Sequence, residues 1–383
     1  MKIASIKTHH VKCELETPFG FSQWFYGQRN VLLVEITTDT GVTGWGECYG
    51  PAEVIQTAVD RFYAPKIIGM NPTSTDQIWH FMWRASLDFA RGGVLMAAMS
   101  GIDMALWDLK GKIRGVSVSE LMGGAVRDSV PCYATGMYFQ EMPEDLLLKT
   151  LVEEALYYAD QGFEAMKIKV GKNVAFDEKL ILAMREAMPN MVLAADSNHA
   201  YDLPEAVHIA KVLEDNNYAW FEEPLSPENL DQFTHLQNQT RVAIATGECE
   251  QTRFGFSKLI ESKGVQIIQA DLAYCGGPSE ALKIRALASA KGLNMIPHVW
   301  GTQLNLAVAT HFLATAYHEP GRKEEKSLFL EYDRTENPLR DELFEVNVNV
   351  VNGKAIVPSE PGLGVSINRD ALQQFSVNST EAK

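Results

Sequence analysis

Short apolar runs in the second part of the chain each lead to a charged residue, and these charged residues recur at a nearly constant interval. They are Lys169, Asp196, Glu222, Glu248, Asp271 and His298, separated by 27, 26, 26, 23 and 27 residues. One strand, one helix and two short loops occupy about this length, so the interval predicts repeated βα units. A polar residue at the carboxyl end of successive parallel strands is typical of a (β/α) barrel, whose active site lies at that end.

The alternation of apolar and polar positions predicts eight barrel strands, beginning near Val130. They are expected at residues 130–136, 164–169, 192–196, 218–222, 243–248, 266–271, 293–298 and 327–331. Amphipathic stretches predict helices between them, for example at residues 144–161, 176–188 and 278–291. Eight strands are enough to close a barrel.

The first part of the chain, residues 1–125, does not follow this interval. Alternating positions predict strands at residues 2–15 and 31–37. A later stretch predicts a helix with one apolar face, which contains Ile102, Ala105, Leu106 and Leu109. These elements indicate an α+β lobe, and the last segment of the chain is expected to pack back against it.

Five aromatic residues lie close together between the first two predicted strands, in a segment expected to be a loop at residues 16–30. They are Phe19, Phe21, Trp24, Phe25 and Tyr26. Two interpretations fit such a cluster: the side chains form part of the core, or they form the lid of a pocket. The sequence leaves both open.

Composition narrows the classes of function. The 383 residues carry a formal net charge of −15, and the sequence contains no run of basic residues. Nucleic acid and anionic membrane surfaces are therefore not expected as partners. There is no apolar segment of signal-peptide or membrane-spanning length. The five cysteines are scattered without any CxxC pair, which favours a reduced, cytoplasmic protein and predicts no zinc site.

Asp196, Glu222 and Glu248 end three successive predicted strands, so their side chains are expected to converge at one end of the barrel. A single acidic residue at a strand end commonly caps a helix or pairs with a surface lysine. Three in register are harder to explain in this way, because carboxylates so close together stay ionised only when a cation neutralises them. Oxygen ligands with positions left for water and substrate favour Mg²⁺.

Two basic groups flank the predicted metal site. Lys167 and Lys169 are separated by one residue within an apolar run, so both are expected to point into the barrel. Two buried ammonium groups lower each other's pKa, which would make one of them a general base near neutral pH. The alternative, two solvated lysines on an exposed strand, conflicts with the apolar residues around them.

A second candidate base is His298, because Asp271 on the neighbouring strand end can fix its tautomer and raise its basicity. His298 is expected to face Lys169 across the barrel. Glu331 ends the eighth predicted strand and is placed to hydrogen-bond a developing enolate oxygen. Asp333, two residues further on, is an alternative for that role.

These residues resemble the mandelate racemase subgroup of the enolase superfamily. The resemblance rests on Lys-x-Lys on the second strand, Asp/Glu/Glu on the third to fifth, and Asp then His on the sixth and seventh. The muconate-lactonising branch would carry a lysine where this chain has Asp271. The resemblance covers the whole chain and implies an α/β fold. That fold is a modified TIM barrel, (β/α)7β, at residues 126–335, with an N-terminal α+β capping domain at residues 1–125 and a C-terminal segment at residues 336–383 that completes it.

The resemblance also implies the chemistry, which is Mg²⁺-dependent removal of the proton α to a carboxylate of an acid sugar or its lactone. Lys169 and His298 are the candidate bases, while Lys167 and Glu331 would stabilise the enediolate. Motifs such as GWGECYGPAE, DSNHAY and WFEEPLSPE are similar to subgroup members that open a hexaric acid lactone by β-elimination. The alternatives are an acid-sugar dehydratase, a racemase or epimerase, and a barrel that binds an acidic ligand without catalysis.

Candidate substrate contacts complete this interpretation. Asn198 is expected beside the metal, and Lys167 beside the substrate. Loops of the capping domain are expected to close the barrel mouth with three aromatic side chains, next to two residues at strand ends. The five are Trp24, Tyr26 and Tyr49, and then Trp300 and Thr135. The expected partner is a small acid sugar or aldarolactone, and the expected assembly is a homo-oligomer.

Overall fold

The computed structural model describes residues 1–319, 321 and 328–383. The N-terminal lobe is an antiparallel sheet covered by helices. Its strands are β1 (Ile3–Gly20), β2 (Phe25–Thr38) and β3 (Thr43–Cys48), and its helices are α1 (Ala52–Thr57), a π-helical turn (Ala58–Tyr63), α2 (Ala64–Ile67), α3 (Thr75–Ser86), α4 (Val94–Arg114) and α5 (Val118–Leu121). The apolar face predicted for α4 is fully buried in the core of this lobe. A Cβ at Gly46 would lie 2.0 Å from the carbonyl oxygen of Gly101, so glycine is what allows α4 to approach β3 so closely.

Within the described residues, eight parallel strands and seven intervening helices form the barrel. The strands are β4 (Ser129–Thr135), β5 (Ala165–Lys169), β6 (Val192–Asp196), β7 (Trp220–Glu222), β8 (Ala243–Thr246), β9 (Ile267–Ile268), β10 (Asn294–Met295) and β11 (Leu330–Asp333). The helices are α6 (Glu144–Asp160), α7 (Val174–Ala187), α8 (Leu203–Asp215), α9 (Leu230–Gln237), α10 (Thr252–Glu261), α11 (Pro278–Ser289) and α12 (Gln303–Ala314). Strand pairing runs from β4 to β10 in chain order, and β11 pairs in parallel with β4. The predicted (β/α)7β barrel is confirmed.

Several predicted strands are longer than the observed ones. The strands expected at residues 243–248, 266–271 and 293–298 end at Thr246, Ile268 and Met295. The polar residues at their predicted ends therefore lie in loops, two or three positions beyond the ladder. Extended loop residues keep the same alternation as a strand, so the pattern cannot show where pairing stops. The strand expected at residues 327–331 is observed at Leu330–Asp333, and Ser327 lies outside the described residues.

The C-terminal segment connects the barrel to the N-terminal lobe. It contains α13 (Pro338–Asp341), β12 (Phe344–Val346), β13 (Val350–Val351), β14 (Lys354–Ile356), β15 (Ser366–Ile367), α14 (Arg369–Phe375) and β16 (Ser376–Ala382). Strand β14 pairs antiparallel with β4, while β16 pairs antiparallel with β1, with Ile6 opposite Ala382. The Arg369 guanidinium also forms an ion pair with Glu35 on β2, at 2.7 Å. Both lobes are thus joined by the last residues of the chain.

The aromatic segment at residues 16–30 is not a loop, because β1 and β2 extend into it as a hairpin whose turn lies at residues 21–24. Phe19 and Phe21 are buried in a small cluster with Tyr138, while Trp24 is 55% exposed at the turn. The backbone of Gly20 exchanges two hydrogen bonds of 2.8 Å with a residue of the barrel, Phe139. Both interpretations therefore hold, since different residues of the hairpin form a core and a cover.

Across the residues that the structure describes, no helix combines the length and the apolar character needed to cross a membrane.

Candidate active site

The three predicted metal ligands converge at the carboxyl end of the barrel. Asp196 and Glu222 are the last residues of β6 and β7, and Glu248 follows β8 by two positions. One carboxylate oxygen from each lies within 4.8 Å of the others, and all three residues are buried. Burial raises the pKa of Glu222 to about 7 and that of Glu248 to about 8. A divalent cation would neutralise the three carboxylates and offset the cost of burying them. An all-oxygen set of buried carboxylates fits Mg²⁺.

Two side chains that the sequence analysis missed hold Glu222 in place. Its Oε2 atom accepts hydrogen bonds from Trp220 Nε1 at 3.0 Å and from Gln269 Nε2 at 2.6 Å. Trp220 precedes Glu222 by two residues on one strand, and Gln269 precedes Asp271 by two. A period of two places residues on the same strand face, so this signal was available in the sequence.

Both lysines point into the barrel, as predicted. Lys167 Nζ lies 2.5 Å from Glu222 Oε1 and 2.7 Å from Glu331 Oε1. Lys169 Nζ lies 2.5 Å from Asp196 Oδ2 and 2.8 Å from Asn198 Oδ1. These contacts give each ammonium group at least one anionic partner in the barrel interior.

The expected depression of the lysine pKa is wrong for this arrangement. Burial acts to lower the pKa of Lys169, but Asp196 outweighs it and the pKa is raised. Burial likewise opposes the charge of Lys167, yet Glu222 and Glu331 raise its pKa well above the usual value. The prediction considered the repulsion between the two lysines and left out the carboxylates beside them. A cation held by those carboxylates would offset their effect on both lysines.

The predicted pair of His298 and Asp271 is formed. His298 Nδ1 lies 2.6 Å from Asp271 Oδ2, which leaves Nε2 on the side of the cavity, 3.5 Å from Glu248 Oε2. Burial alone would lower the pKa of His298, but Glu248 and the hydrogen bond to Asp271 raise it to about 10. Asp271 is itself oriented by the backbone N–H of Ala273 at 2.6 Å and by Asn305.

Glu331, and not Asp333, belongs to this cluster. Besides Lys167, the Glu331 carboxylate accepts hydrogen bonds from Thr135 Oγ1 at 2.8 Å and from the Val299 backbone at 3.0 Å. Asp333 pairs with Arg29 at 2.9 Å, away from the metal ligands. Thr135 was expected to contact substrate, but it is buried behind Glu331 and is not among the described residues that line the cavity. Its position suits it to orient Glu331.

Aromatic side chains form the outer wall of the cavity. Four expected residues line it, Trp24, Tyr26, Tyr49 and Trp300, and so do Asn198 and Phe21 of the aromatic segment. Gln23 and Tyr138 line it as well and were not predicted. The ring of Tyr49 packs edge-on against His298 at 5.6 Å, and the ring of Tyr26 lies 5.7 Å from that of Trp300. Gln23 Nε2 donates to the carbonyl oxygen of Asn198 at 2.7 Å. The hairpin turn is thus attached directly to the loop that carries Asn198.

The loops around the metal ligands have an unusual backbone. Asn198, His199 and Glu223 have positive φ angles of 46°, 66° and 44°. Side chains other than glycine rarely adopt this left-handed region, and such residues concentrate at functional sites. His199 and Glu223, together with Cys249, also line the cavity and were not predicted. Their positions depend on loop conformation, which the strand pattern does not contain.

Glu47 is a further residue that only the fold reveals. It lies on β3 of the N-terminal lobe, yet its carboxylate accepts hydrogen bonds from the backbone N–H of Thr302 at 3.0 Å and from the Thr302 hydroxyl at 2.5 Å. Thr302 precedes α12 and follows His298 by four residues. Burial raises the pKa of Glu47 to about 7. The N-terminal lobe therefore holds the loop that carries His298.

Comparison with known proteins assigns the class. Residues 3–123 match the mandelate racemase / muconate lactonizing enzyme N-terminal domain, and residues 150–371 match the enolase C-terminal domain-like family. With the eight-stranded barrel and its converging carboxylates, these matches show that the chain belongs to the enolase superfamily. The resemblance expected from the sequence is confirmed.

Two curated relatives and one solved structure are similar over nearly the whole chain. D-galactarolactone cycloisomerase of Agrobacterium fabrum is 40% identical, with 98% of this chain and 99% of the relative covered. Arabinonate dehydratase of Saccharolobus solfataricus is 32% identical, with 91% of each covered. The crystal structure of 3,6-anhydro-D-galactonate cycloisomerase from Zobellia galactanivorans has a TM-score of 0.89 at 39% identity, covering 99% and 100%. This chain is an enzyme of the superfamily, and the alternative of a non-catalytic binder is set aside.

Proposed function

We propose that this enzyme binds Mg²⁺, removes the proton α to the carboxylate of a cyclic sugar acid, and opens the ring by β-elimination. D-galactarolactone and D-glucarolactone are the first candidate substrates. The similarity to two cycloisomerases supports this proposal. The observation that carries it is the division of the cavity into a charged base and a neutral, aromatic outer wall.

Asp196, Glu222 and Glu248 would hold the metal ion. The chemistry that Mg²⁺ supplies there is neutralisation of the negative charge that develops on a substrate carboxylate during proton removal. Lys167 and Glu331 lie 2.7 Å apart beside this position. The Lys167 ammonium adds positive charge next to a developing oxyanion, while Glu331 fixes Lys167 in place.

Lys169 and His298 are the two groups that can move a proton. They belong to β5 and to the loop after β10, which lie three strands apart around the barrel through β11 and β4. One can take the α proton, and the other lies on the opposite side of the cavity. A ring ester leaves as a carboxylate and needs little acid assistance, whereas a ring ether or a hydroxyl leaves as an alkoxide and needs a proton from the second group.

The outer part of the cavity favours a neutral ring. Among the described lining residues, the groups able to carry positive charge are Lys167, Lys169, His199 and His298. The two lysines and His298 contact the carboxylates at the base, and His199 pairs with Glu223 at 3.0 Å. The outer wall is left with aromatic faces, which pack well against the C–H groups of a sugar ring. A second substrate carboxylate would find no unpaired cation there among these residues.

This division supports the proposal of a lactone over an open-chain diacid. In a hexaric acid lactone, one carboxyl is tied up in the ring and the free carboxylate lies next to the carbon that is deprotonated. The ring oxygen is β to that carboxylate, so its expulsion yields a keto-deoxy acid. The ring ether of 3,6-anhydro-D-galactonate has the same relation between carboxylate and ring oxygen, so it is a second candidate of the same class.

Dehydration of an open-chain sugar acid with one carboxylate is the alternative. The presence of proton-transfer groups on both sides of the cavity favours it, because a hydroxyl leaving group requires both. The similarity to an arabinonate dehydratase supports it as well.

A substrate screen separates these functions. The enzyme with Mg²⁺ is incubated with D-galactarolactone, D-glucarolactone, 3,6-anhydro-D-galactonate, D-arabinonate and D-galactarate, with a keto-acid assay and proton NMR in D₂O as readouts. We expect turnover of a cyclic acid with loss of the α proton, abolished by EDTA and restored by Mg²⁺. If the open-chain acids lose water while every cyclic acid is inert, the enzyme is a dehydratase.

A further inference from the structure

A second set of potential metal ligands lies beside the three-carboxylate cluster and shares no residue with it. His199, Glu223 and Cys249 come from the loops after β6, β7 and β8, and one donor atom from each lies within 4.8 Å of the others. His199 Nε2 is 3.0 Å from Glu223 Oε2 and 3.6 Å from Cys249 Sγ. No zinc site was expected from the sequence, because its cysteines do not occur in pairs. Folding brings one cysteine to a histidine and a glutamate instead.

The orientation of His199 suits metal binding. Its Nδ1 atom lies 3.1 Å from the carbonyl oxygen of Leu225, an acceptor that requires a proton on Nδ1. Once the Nε2 proton is displaced, this atom presents a lone pair directed at Glu223 and Cys249. A backbone carbonyl that fixes the tautomer in this way is the usual outer support of a metal-bound histidine.

One oxygen of Glu223 provides an independent indication of a missing ligand. The residue is 1% exposed, and its Oε1 atom has no hydrogen-bond partner among the described residues. Its Oε2 atom contacts His199, and the Asn198 amide at 3.4 Å is a long contact. A buried carboxylate oxygen without a partner costs free energy, and a bound cation supplies the interaction that the protein does not.

We propose that His199 Nε2, the Glu223 carboxylate and Cys249 Sγ bind one thiophilic divalent cation of the Zn²⁺ class. A nitrogen, oxygen and sulfur donor set selects such ions, whereas the neighbouring all-oxygen set suits Mg²⁺. On binding, the cysteine thiol loses its proton to solvent and the cation replaces any proton between His199 and Glu223. The two negative ligands then balance the charge of the ion, and the fourth position is open to the cavity.

Co²⁺ is the probe, because a cobalt–thiolate bond gives a charge-transfer absorption that oxygen ligands do not give. The full-length protein is saturated with Mg²⁺ and titrated with Co²⁺, followed by Zn²⁺. We expect one equivalent of Co²⁺ to produce the thiolate band and one equivalent of Zn²⁺ to remove it. The thiolate band does not depend on turnover. The metal-site proposal can therefore be wrong while the proposed function is right, and the proposed function can be wrong while the metal-site proposal is right.

Three variants decide the assignment. Cys249→Ser should abolish the thiolate band, and His199→Gln should weaken Co²⁺ binding at least about tenfold. Cys13→Ser, a half-buried thiol of the N-terminal lobe, is the matched control and should behave as wild type. The proposal is overturned when Mg²⁺-saturated wild type gives no thiolate band, or when the band persists in Cys249→Ser. Because Cys249 is exposed, this variant should fold even where His199→Gln does not.

Discussion

Each charged side chain at the base of the cavity is buried together with at least one group of opposite charge. Lys167 pairs with Glu222 and Glu331, Lys169 with Asp196, and His298 with Asp271. Removing one member leaves its partner uncompensated unless another charge takes over. When Lys169 is removed, a metal ion held by the carboxylates can still neutralise Asp196. When His298 is removed, it cannot neutralise Asp271, because Asp271 is not among the converging ligands.

The two candidate bases should be essential for turnover without being needed for metal binding. We expect Lys169→Met and His298→Asn each to lower kcat by about 10²–10⁴, the usual contribution of a positioned acid or base. Mg²⁺ affinity, measured by calorimetry, should be nearly unchanged because neither side chain is a metal ligand.

Exchange of the α proton in D₂O distinguishes the roles of the two residues. The variant that lacks the abstracting base should lose both exchange and turnover, while the other should retain exchange. Near-wild-type turnover in either variant would contradict the two-base assignment.

The sequence revealed the charged residues of the site because strand alternation alone indicates which of them point inward. It did not reveal Glu47, His199 or Cys249. Glu47 acts from the other lobe, and the remaining two lie on loops whose conformation includes a left-handed residue. The pKa of the lysines was mispredicted for a related reason, since repulsion within a strand is visible in the sequence and attraction between strands is not.

Among the elements, the β1–β2 hairpin has the clearest separate role, because its turn covers the cavity. Trp24 lines the cavity, whereas the next residue, Phe25, is similarly exposed, at 44%, and does not line it among the described residues. The two aromatic residues therefore form a matched pair for substitution.

Trp24→Ala should raise KM about tenfold and leave kcat within about twofold, because the lost contact area is worth on the order of 1–2 kcal/mol of binding. Phe25→Ala is the control and should leave both constants near wild type. Steady-state kinetics on the substrate found in the screen provides the measurement. An equal effect of both substitutions would indicate that the hairpin was perturbed as a whole.

The contact between β3 and α12 should make stability depend on pH. The pKa of Glu47 is about 7 in the folded enzyme, so the folded state keeps a proton that an ordinary glutamate, with a pKa near 4.5, has lost. The contribution of Glu47 to stability is therefore present below pH 4.5 and is lost as the pH rises through 7. Above that, the buried carboxylate is ionised at a cost on the order of 3 kcal/mol.

Replacing Glu47 by glutamine removes this titration. As the pH is raised from 5 to 8, the free energy of unfolding of wild type should fall relative to Glu47→Gln, as measured by urea unfolding at several pH values. Glu53→Gln, at an exposed position of α1, controls for the loss of one carboxyl group. A difference between wild type and Glu47→Gln that stays constant with pH would rule out this assignment.

For the molecule as a whole, the barrel and the return of the C-terminal segment to the N-terminal lobe were expected from the sequence, whereas the strand pairing that attaches this segment was not. The barrel repeats one unit, so each strand supports the assignment of the others. The pairing of β16 with β1 joins residues more than 360 positions apart in the chain, as in Ile6 opposite Ala382. Local alternation contains no information about such a partner.

The C-terminal strand should be required for the stability of the N-terminal lobe. Removing residues 376–383 leaves one edge of β1 unpaired, and a long unpaired edge promotes association between chains. We expect the truncated enzyme to melt at least about 5 °C lower and to self-associate, as measured by calorimetry and light scattering. Removal of Lys383 alone, which lies outside β16, is the control and should have no effect.

The ion pair between Arg369 and Glu35 should support the same attachment. Burial would raise the pKa of Glu35, but hydrogen bonds from His9 and Arg369 lower it to about 2. The contribution of the Glu35 carboxylate to the free energy of unfolding is thus present above pH 4.5 and lost as the pH falls toward 2.

The pairing of β16 with β1 also determines when the N-terminal lobe can finish folding during synthesis. During synthesis, β1 leaves the ribosome long before β16, because their paired residues lie more than 360 positions apart in the chain. The lobe that carries the substrate cover must therefore wait, with one edge open, until the entire barrel has emerged. A chain that ended before β16 would have a finished barrel and an incomplete cover.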